Sequence, residues 1–167
     1  DLAEYRDRDF TNRSDIDTRV TPQRETSRFG DPEVEDVSFY ANAGKPIGET
    51  WEAYGWYGYQ HRDAEASATY RLPTDASRDI PSVYPNGYLP LITTDNEDVT
   101  AAGGLRGEWN GFRIDANLVY GRNDIDFGVN NTINPSYGPT SPTSFQAGGL
   151  TYDQLTFGLD VSKEIEV

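Results

Sequence analysis

The chain has 167 residues, enough for one domain, but 35% hydrophobic content and a mean hydropathy of -0.72 exclude a large conventional apolar core. A formal net charge of -14, with no basic patch to neutralise phosphates, argues against nucleic acid as a partner. Aromatic residues reach 13%, with 11 Tyr and 3 Trp, and that argues against disorder. There is no cysteine, so disulfides and thiolate metal sites are excluded as well. No apolar run approaches the ~18 residues of a membrane helix, whereas a membrane β-strand needs only ~9 to 11 alternating residues.

The first expected strand covers roughly residues 1–9, where Ala3 and Tyr5 share one side before the charged run Arg6 to Asp9. Thr11 to Pro32 has almost no apolar residue and reads as a hydrated connection rather than a binding site. A second strand is expected at 35–44, with Val37, Phe39, Ala41 and Ala43 on one face and Ser38, Tyr40 and Asn42 on the other. A short turn follows around Lys45-Pro46-Ile47-Gly48. The third strand, 51–62, carries rings on both sides: Trp51, Tyr57 and Tyr59 on one, Tyr54 and Trp56 on the other. Cross-strand aromatic packing in a wall explains it, and a carbohydrate-stacking platform is the competing reading. The single histidine, His61, has no serine or second histidine at a catalytic spacing and reads as a rim residue.

Leu72 to Asp98 is expected to be a long loop, with turn signals at Pro73, Pro81, Pro85-Asn86-Gly87 and Pro90. Its acidic end, Asp95-Asn96-Glu97-Asp98, lacks the ligand spacing and central Gly of a calcium loop and reads as solvated charge.

The most informative stretch comes next. Asn110-Gly111 lies between two alternating runs and predicts a two-residue type I′ turn joining strands 99–109 and 112–122. Trp109 then faces Phe112, and the whole register follows. One face (Val99, Ala101, Gly103, Leu105, Gly107 and Trp109 with Phe112, Ile114, Ala116, Leu118 and Tyr120) has no charge. The other pairs Glu108 with Arg113 and Arg106 with Asp115, and a one-residue slip would bury all four. So little volume at Ala101, Gly103, Gly107 and Ala116 suits a wall between lipid and water better than a packed sandwich. A second long loop is expected from Asn123 to Gly149, and a last strand over 152–165 with Leu155, Phe157, Leu159 and Val161 on one side.

The expected fold is therefore all-β: an antiparallel up-and-down transmembrane β-barrel domain spanning 1–167, here about six strands. Long and short connections alternate along it, as in outer-membrane barrels. Six strands fall short of the eight of the smallest such barrels, so the chain is expected to be an excerpt of a larger one, with its first and last strands unpaired to each other. The alternative is a sandwich whose Leu155 to Val161 face packs on a second sheet.

Taken in order, FTNR (Phe10 to Arg13), RFGDPEV (Arg28 to Val34), YANAGKPIG (Tyr40 to Gly48), YPNGYLPLI (Tyr84 to Ile92), LVYGRNDIDF (Leu118 to Phe127), NPSYGPTSPTSF (Asn134 to Phe145) and YDQLTFGLDVSKE (Tyr152 to Glu164) resemble the barrel of TonB-dependent outer-membrane receptors. The resemblance implies a 22-stranded barrel closed by an N-terminal plug. It also implies a location in the outer membrane of a Gram-negative bacterium, with lipid as a partner. Such a receptor imports a scarce nutrient of the siderophore, cobalamin or glycan class, using energy passed through TonB. Neither plug nor TonB box lies within this sequence, so no residue here is assigned to TonB coupling. The alternatives are a non-transporting β protein that binds glycans or partner proteins through its loops, and a passive porin.

No enzyme is expected. The serines lack a nucleophile elbow, and no catalytic, cofactor-binding or metal-binding residue is assigned. Ligand contact is expected in the two long loops, at Tyr84, Asn86, Tyr88, Asn134, Tyr137 and Phe145, which offer rings for stacking and amides for hydrogen bonds.

Overall fold

A computed structural model describes residues 4–5 and 28–165 of the chain. Two short strands, β1 (Glu4–Tyr5) and β2 (Arg28–Phe29), pair antiparallel, Glu4 opposite Phe29 and Tyr5 opposite Arg28. The remaining strands are β3 (Glu33–Ile47), β4 (Trp51–Ser67), β5 (Leu91–Trp109), β6 (Phe112–Asn130) and β7 (Phe145–Lys163). They form one antiparallel up-and-down sheet in sequence order, with β3 and β7 at its open edges. A 3₁₀ segment, Pro135–Thr140, lies between β6 and β7.

The turn between β5 and β6 forms where the sequence specifies it. Asn110 and Gly111 both take positive φ, 50° and 76°, as a type I′ turn requires. Further along the ladder, Asn123 donates to Asp98 at 2.8 Å, and a Cβ on Gly128 would stand 2.6 Å from Thr93 Oγ1. Both contacts fall on the register that Trp109 opposite Phe112 sets, so the hairpin runs its full length without a slip.

The sheet has five strands where six were expected. The strand expected over 1–9 falls outside the described residues except for Glu4–Tyr5, which pairs with β2 and not with the large sheet. The strands are also longer than apolar alternation indicates. Leu91 to Asp98, Asn123 to Asn130 and Phe145 to Gly149, all expected in loops, belong to β5, β6 and β7. From Thr93 to Asp98 the side chains are polar on both faces, and polar cross-strand pairs such as Asn123 with Asp98 replace apolar ones; in β6, Ile125, Phe127 and Val129 do alternate, on the face opposite to Leu118 and Tyr120. The acidic run at Asp95 to Asp98 is therefore extended strand, with Asp95 and Glu97 on one face and Asp98 on the other. The long connections shrink to 68–90 and 131–144, yet short and long still alternate from β3 to β7.

The chain divides into two compact units. One, made of 1–35, 63–95 and 126–149, contains both long loops; the other, 36–62, 96–125 and 150–167, contains both tight turns. The buried apolar side chains among the described residues are Tyr88, Leu89 and Ile133, all in the loop-bearing unit. In the turn-bearing unit the large apolar side chains stay open: Phe157 is 68% exposed and Leu155 64%. Among the described residues no second sheet covers the Leu155 to Val161 face, so they do not form the sandwich arrangement.

Candidate functional site

The turn-bearing unit presents two chemically distinct faces. On one, Trp51 to Tyr59, Val99 to Trp109, Phe112 to Tyr120 and Leu155 to Val161 contribute alternate residues without a charge. Contacts tie these strands to a common face: the Phe39 and Tyr57 rings are 6.4 Å apart, and Lys163 Nζ lies 4.8 Å from the centre of the Phe112 ring. Trp51 fills the space beside Gly107. Rings gather at both margins of this band. Trp51, Trp109 and Phe112 flank the tight turns, while Tyr59 and Tyr120 mark the far side, where Glu97, Arg122 and Asp124 begin the charged rows. The Tyr59 hydroxyl lies 3.4 Å from Glu97, and Thr151 donates to Asp124 at 3.1 Å. Among the described residues no helix is long and apolar enough to cross a membrane; strands are a separate case.

The opposite face is a hydrogen-bonded polar surface. Glu52 accepts from Arg106 Nε at 2.9 Å, and the guanidinium carbon stands 5.2 Å from the centre of the Tyr54 ring. The Tyr54 hydroxyl donates to Asp115 at 2.6 Å, and Asn117 donates to the same oxygen at 3.2 Å. Farther along, Asp36 accepts from Gln60 at 2.8 Å and is bridged by Arg62. The ion pairs expected across the hairpin are replaced. Arg106 turns to Glu52 on β4 because Tyr54 takes Asp115, and Arg113 comes within 4.0 Å of Glu164 instead of pairing with Glu108.

Glycines make room for these side chains. Tyr54 occupies the space beside Gly104, Tyr40 and Thr100 the space beside Gly58, and Asn117 the space beside Gly158. Sequence inspection misses this pattern, because each ring and its glycine are far apart in the chain. The available signal is that β4 is rich in rings (Trp51, Tyr54, Trp56, Tyr57, Tyr59) while its neighbour β5 is rich in glycine (Gly103, Gly104, Gly107).

The six residues expected to contact a ligand all lie in the loop-bearing unit, where most of them hold the loops in shape. The rings of Tyr84 and Tyr88 stand 4.5 Å apart. Tyr88 is 5% exposed and donates to the Arg78 carbonyl at 2.7 Å. The Asn86 carbonyl accepts from Tyr70 at 2.5 Å. Asn134 caps the 3₁₀ segment, accepting from Ser136 N–H at 3.0 Å. Phe145 is the half-buried first residue of β7, and Tyr137 is the exposed member of the set. Asn131 donates to the Leu89 carbonyl at 2.8 Å and fastens one loop to the other.

The same unit has a hollow of about 750 Å³ whose lining includes Glu33, Glu35, Asp63, Glu65, Asp95 and Asp126. Arg28 binds Glu65 there at 2.7 Å. No family model matches the chain, and no curated protein and no solved structure matches it.

Proposed function

We propose that this sheet is part of the wall of an outer-membrane importer of the TonB-dependent receptor type. Its apolar band meets lipid and its polar face lines the lumen. One observation carries the reading: an uncharged, open band bordered by aromatic rings on one face of adjacent strands, with a hydrogen-bonded charged surface on the other. In water, an apolar face of this extent would be an aggregation surface. In lipid it is the favourable arrangement, and the length from Val99 to Trp109 matches the ~9 to 11 residues of a tilted membrane strand.

In this reading β3 and β7 pair with further strands of the same barrel, since an open edge in hydrocarbon would strand N–H and C=O groups at several kcal/mol each. The long loops face outward and the tight turns face the periplasm. The imported nutrient passes along the polar face, and coupling to TonB belongs to a plug outside the sequence described here.

This sequence holds no cysteine, so an introduced one is the only thiol within it, and the protein without the introduced cysteine serves as the labelling control. Single cysteines at Leu118 and Asn117, adjacent in β6 but on opposite faces, are introduced into the full chain in native outer membranes. Asn117→Cys is expected to react with a water-soluble maleimide. Leu118→Cys is expected to resist it and, once labelled in detergent with a bimane fluorophore and reconstituted, to be quenched by brominated lipid. Equal aqueous labelling at both positions, or recovery of the wild-type protein in the soluble fraction, would overturn the proposal.

A further inference from the structure

The polar face contains one glycine whose space no neighbour fills. Gly44, Gly58, Gly104 and Gly158 are each overlaid by a side chain from the adjoining strand, respectively Glu52, Tyr40 with Thr100, Tyr54 and Asn117. A Cβ on Gly121, by contrast, would meet nothing within 4 Å. Around it lies a hollow of about 360 Å³ bordered by Asp98, Thr100, Asn123, Tyr152, Gln154 and Thr156. That volume is at the lower end of small-ligand sites.

We propose that the hollow over Gly121 is a subsite for one or two rings of a neutral carbohydrate, an assignment that rests on the polar face being the lumen wall. The chemistry of the border selects the class. Tyr152 is 63% exposed and offers a ring on which the C–H face of a sugar stacks. Its hydroxyl donates to Gln154 Oε1 at 3.0 Å, and Gln154 Nε2 donates to Thr156 Oγ1 at 3.1 Å, which fixes the rotamers of that side. Opposite, Asn123 Nδ2 is shared between Asn96 Oδ1 and Asp98 Oδ1, both at 2.8 Å. The second Gln154 N–H, the Thr156 hydroxyl proton and the Asn123 carbonyl are left to meet hydroxyl groups, which both donate and accept.

Charge argues against an anionic chelate. Arg122, next to Gly121 in β6, projects to the opposite face, where it is bound to Asp124 at 2.9 Å, so it brings no positive charge to the hollow. The one carboxylate, Asp98, has both oxygens engaged, Oδ1 by Asn123 and Oδ2 by Asn96 at 2.8 Å. What remains is a hollow without a free charge, mostly apolar over Val119 and the Tyr152 ring and edged by the amides of Asn123 and Gln154 and the hydroxyls of Thr100 and Thr156.

The test uses the full chain in detergent on an array of neutral oligosaccharides that includes malto-, xylo- and cello-hexaose. Binding by the wild type is expected. It should be lost in Gly121→Leu, which fills the hollow without meeting a neighbouring atom at Cβ, and weakened about 2- to 10-fold in Tyr152→Ala. Heat-modifiable gel mobility reports that each variant is folded. No glycan bound by the wild type, or equal binding by folded Gly121→Leu, would overturn the subsite. The membrane reading is scored separately: wild type that sediments with the outer membrane but binds no glycan refutes the subsite alone. Glycan binding lost in Gly121→Leu by protein from the soluble fraction keeps the binding hollow but overturns its assignment to a lumen wall.

Discussion

The Tyr54 hydroxyl reaches Asp115 Oδ1 at 2.6 Å by lying across Gly104, so a residue of β4 is bonded to one of β6 over the strand that separates them. The contact depends on Gly104 having no side chain. Gly104→Val would place a branched side chain in the Tyr54 ring, and it is expected to destabilise the sheet by about 1 to 3 kcal/mol through overpacking. Gly121→Val, with open space at Cβ, should shift the unfolding midpoint little. Urea denaturation of the two variants side by side checks the contrast, and equal loss in both would contradict it.

Charge on the apolar band should block insertion. Leu118 is 48% exposed and Leu105 39%, both on the uncharged face. Leu118→Arg or Leu105→Arg is expected to cost roughly 2 to 4 kcal/mol if the position lies near the bilayer midplane. The amount of heat-modifiable protein in the outer membrane is the measure, and normal assembly of both variants would exclude lipid at this face.

The loops should open without loss of the sheet. Leu89 is 5% exposed and packs where few other side chains are buried. Leu89→Ala is expected to cost about 2 to 3 kcal/mol locally. Limited proteolysis should then cut within 68–90 and 131–144 while heat modifiability persists. Cleavage within β5 and β6 at the same rate would show that loops and sheet unfold together.

Asp79 gives the loop a pH dependence. It is 2% exposed; Oδ1 accepts the Ile80 N–H at 2.8 Å, and Oδ2 has no partner. Burial raises its carboxyl above the ordinary 3.8, with the nearby Asp75 charge acting in the same direction. The folded loop thus holds this proton more tightly than the unfolded chain does. Its stability is greatest below pH 3.8 and falls as pH rises through the elevated folded value. Asp75 has the opposite sign: the Ser77 hydroxyl, at 2.5 Å, holds it low, so its contribution exists above 3.8 and is lost as pH falls through the folded value. Hydrogen exchange in 68–90, corrected for intrinsic rates, should slow as pH drops toward 4, and Asp79→Asn should abolish that limb. An unchanged profile in Asp79→Asn would assign the dependence to another group.

How much of this is legible before folding depends on which force sets each feature. The Asn110-Gly111 turn is legible because positive φ at two successive residues restricts the choice of side chain so strongly. The alternation of Leu155, Phe157, Leu159 and Val161 is legible because one face repels water. The polar stretch of β5 is not, since Asn96, Asp98 and Asn123 hold the ladder by hydrogen bonds that leave no hydropathy period, whereas Ile125, Phe127 and Val129 in β6 do alternate and mark strand inside the expected loop. The partner of Arg106 is hidden for a related reason. Glu52 and Asp115 are equivalent in charge, and the Tyr54 hydroxyl, which decides between them, belongs to a strand that local sequence does not connect to Asp115. Of the six expected ligand-contact residues, Asn86 and Asn134 are turn and cap formers by composition, and those roles are the ones the structure displays.

The pairing of a bulky side chain with a glycine on the next strand makes the summed volume at each such rung the quantity that must be conserved, rather than either residue alone. Tyr54 with Gly104, Tyr40 with Gly58, Asn117 with Gly158 and Trp51 with Gly107 are four such rungs. Drift at one position is then tied to drift at its partner. Among diverging sequences these columns should change together, large for small and small for large. In a double-mutant cycle, Tyr54→Gly with Gly104→Tyr should recover stability that either exchange alone removes. The sheet carries its evolutionary constraint in pairs that run across the strands.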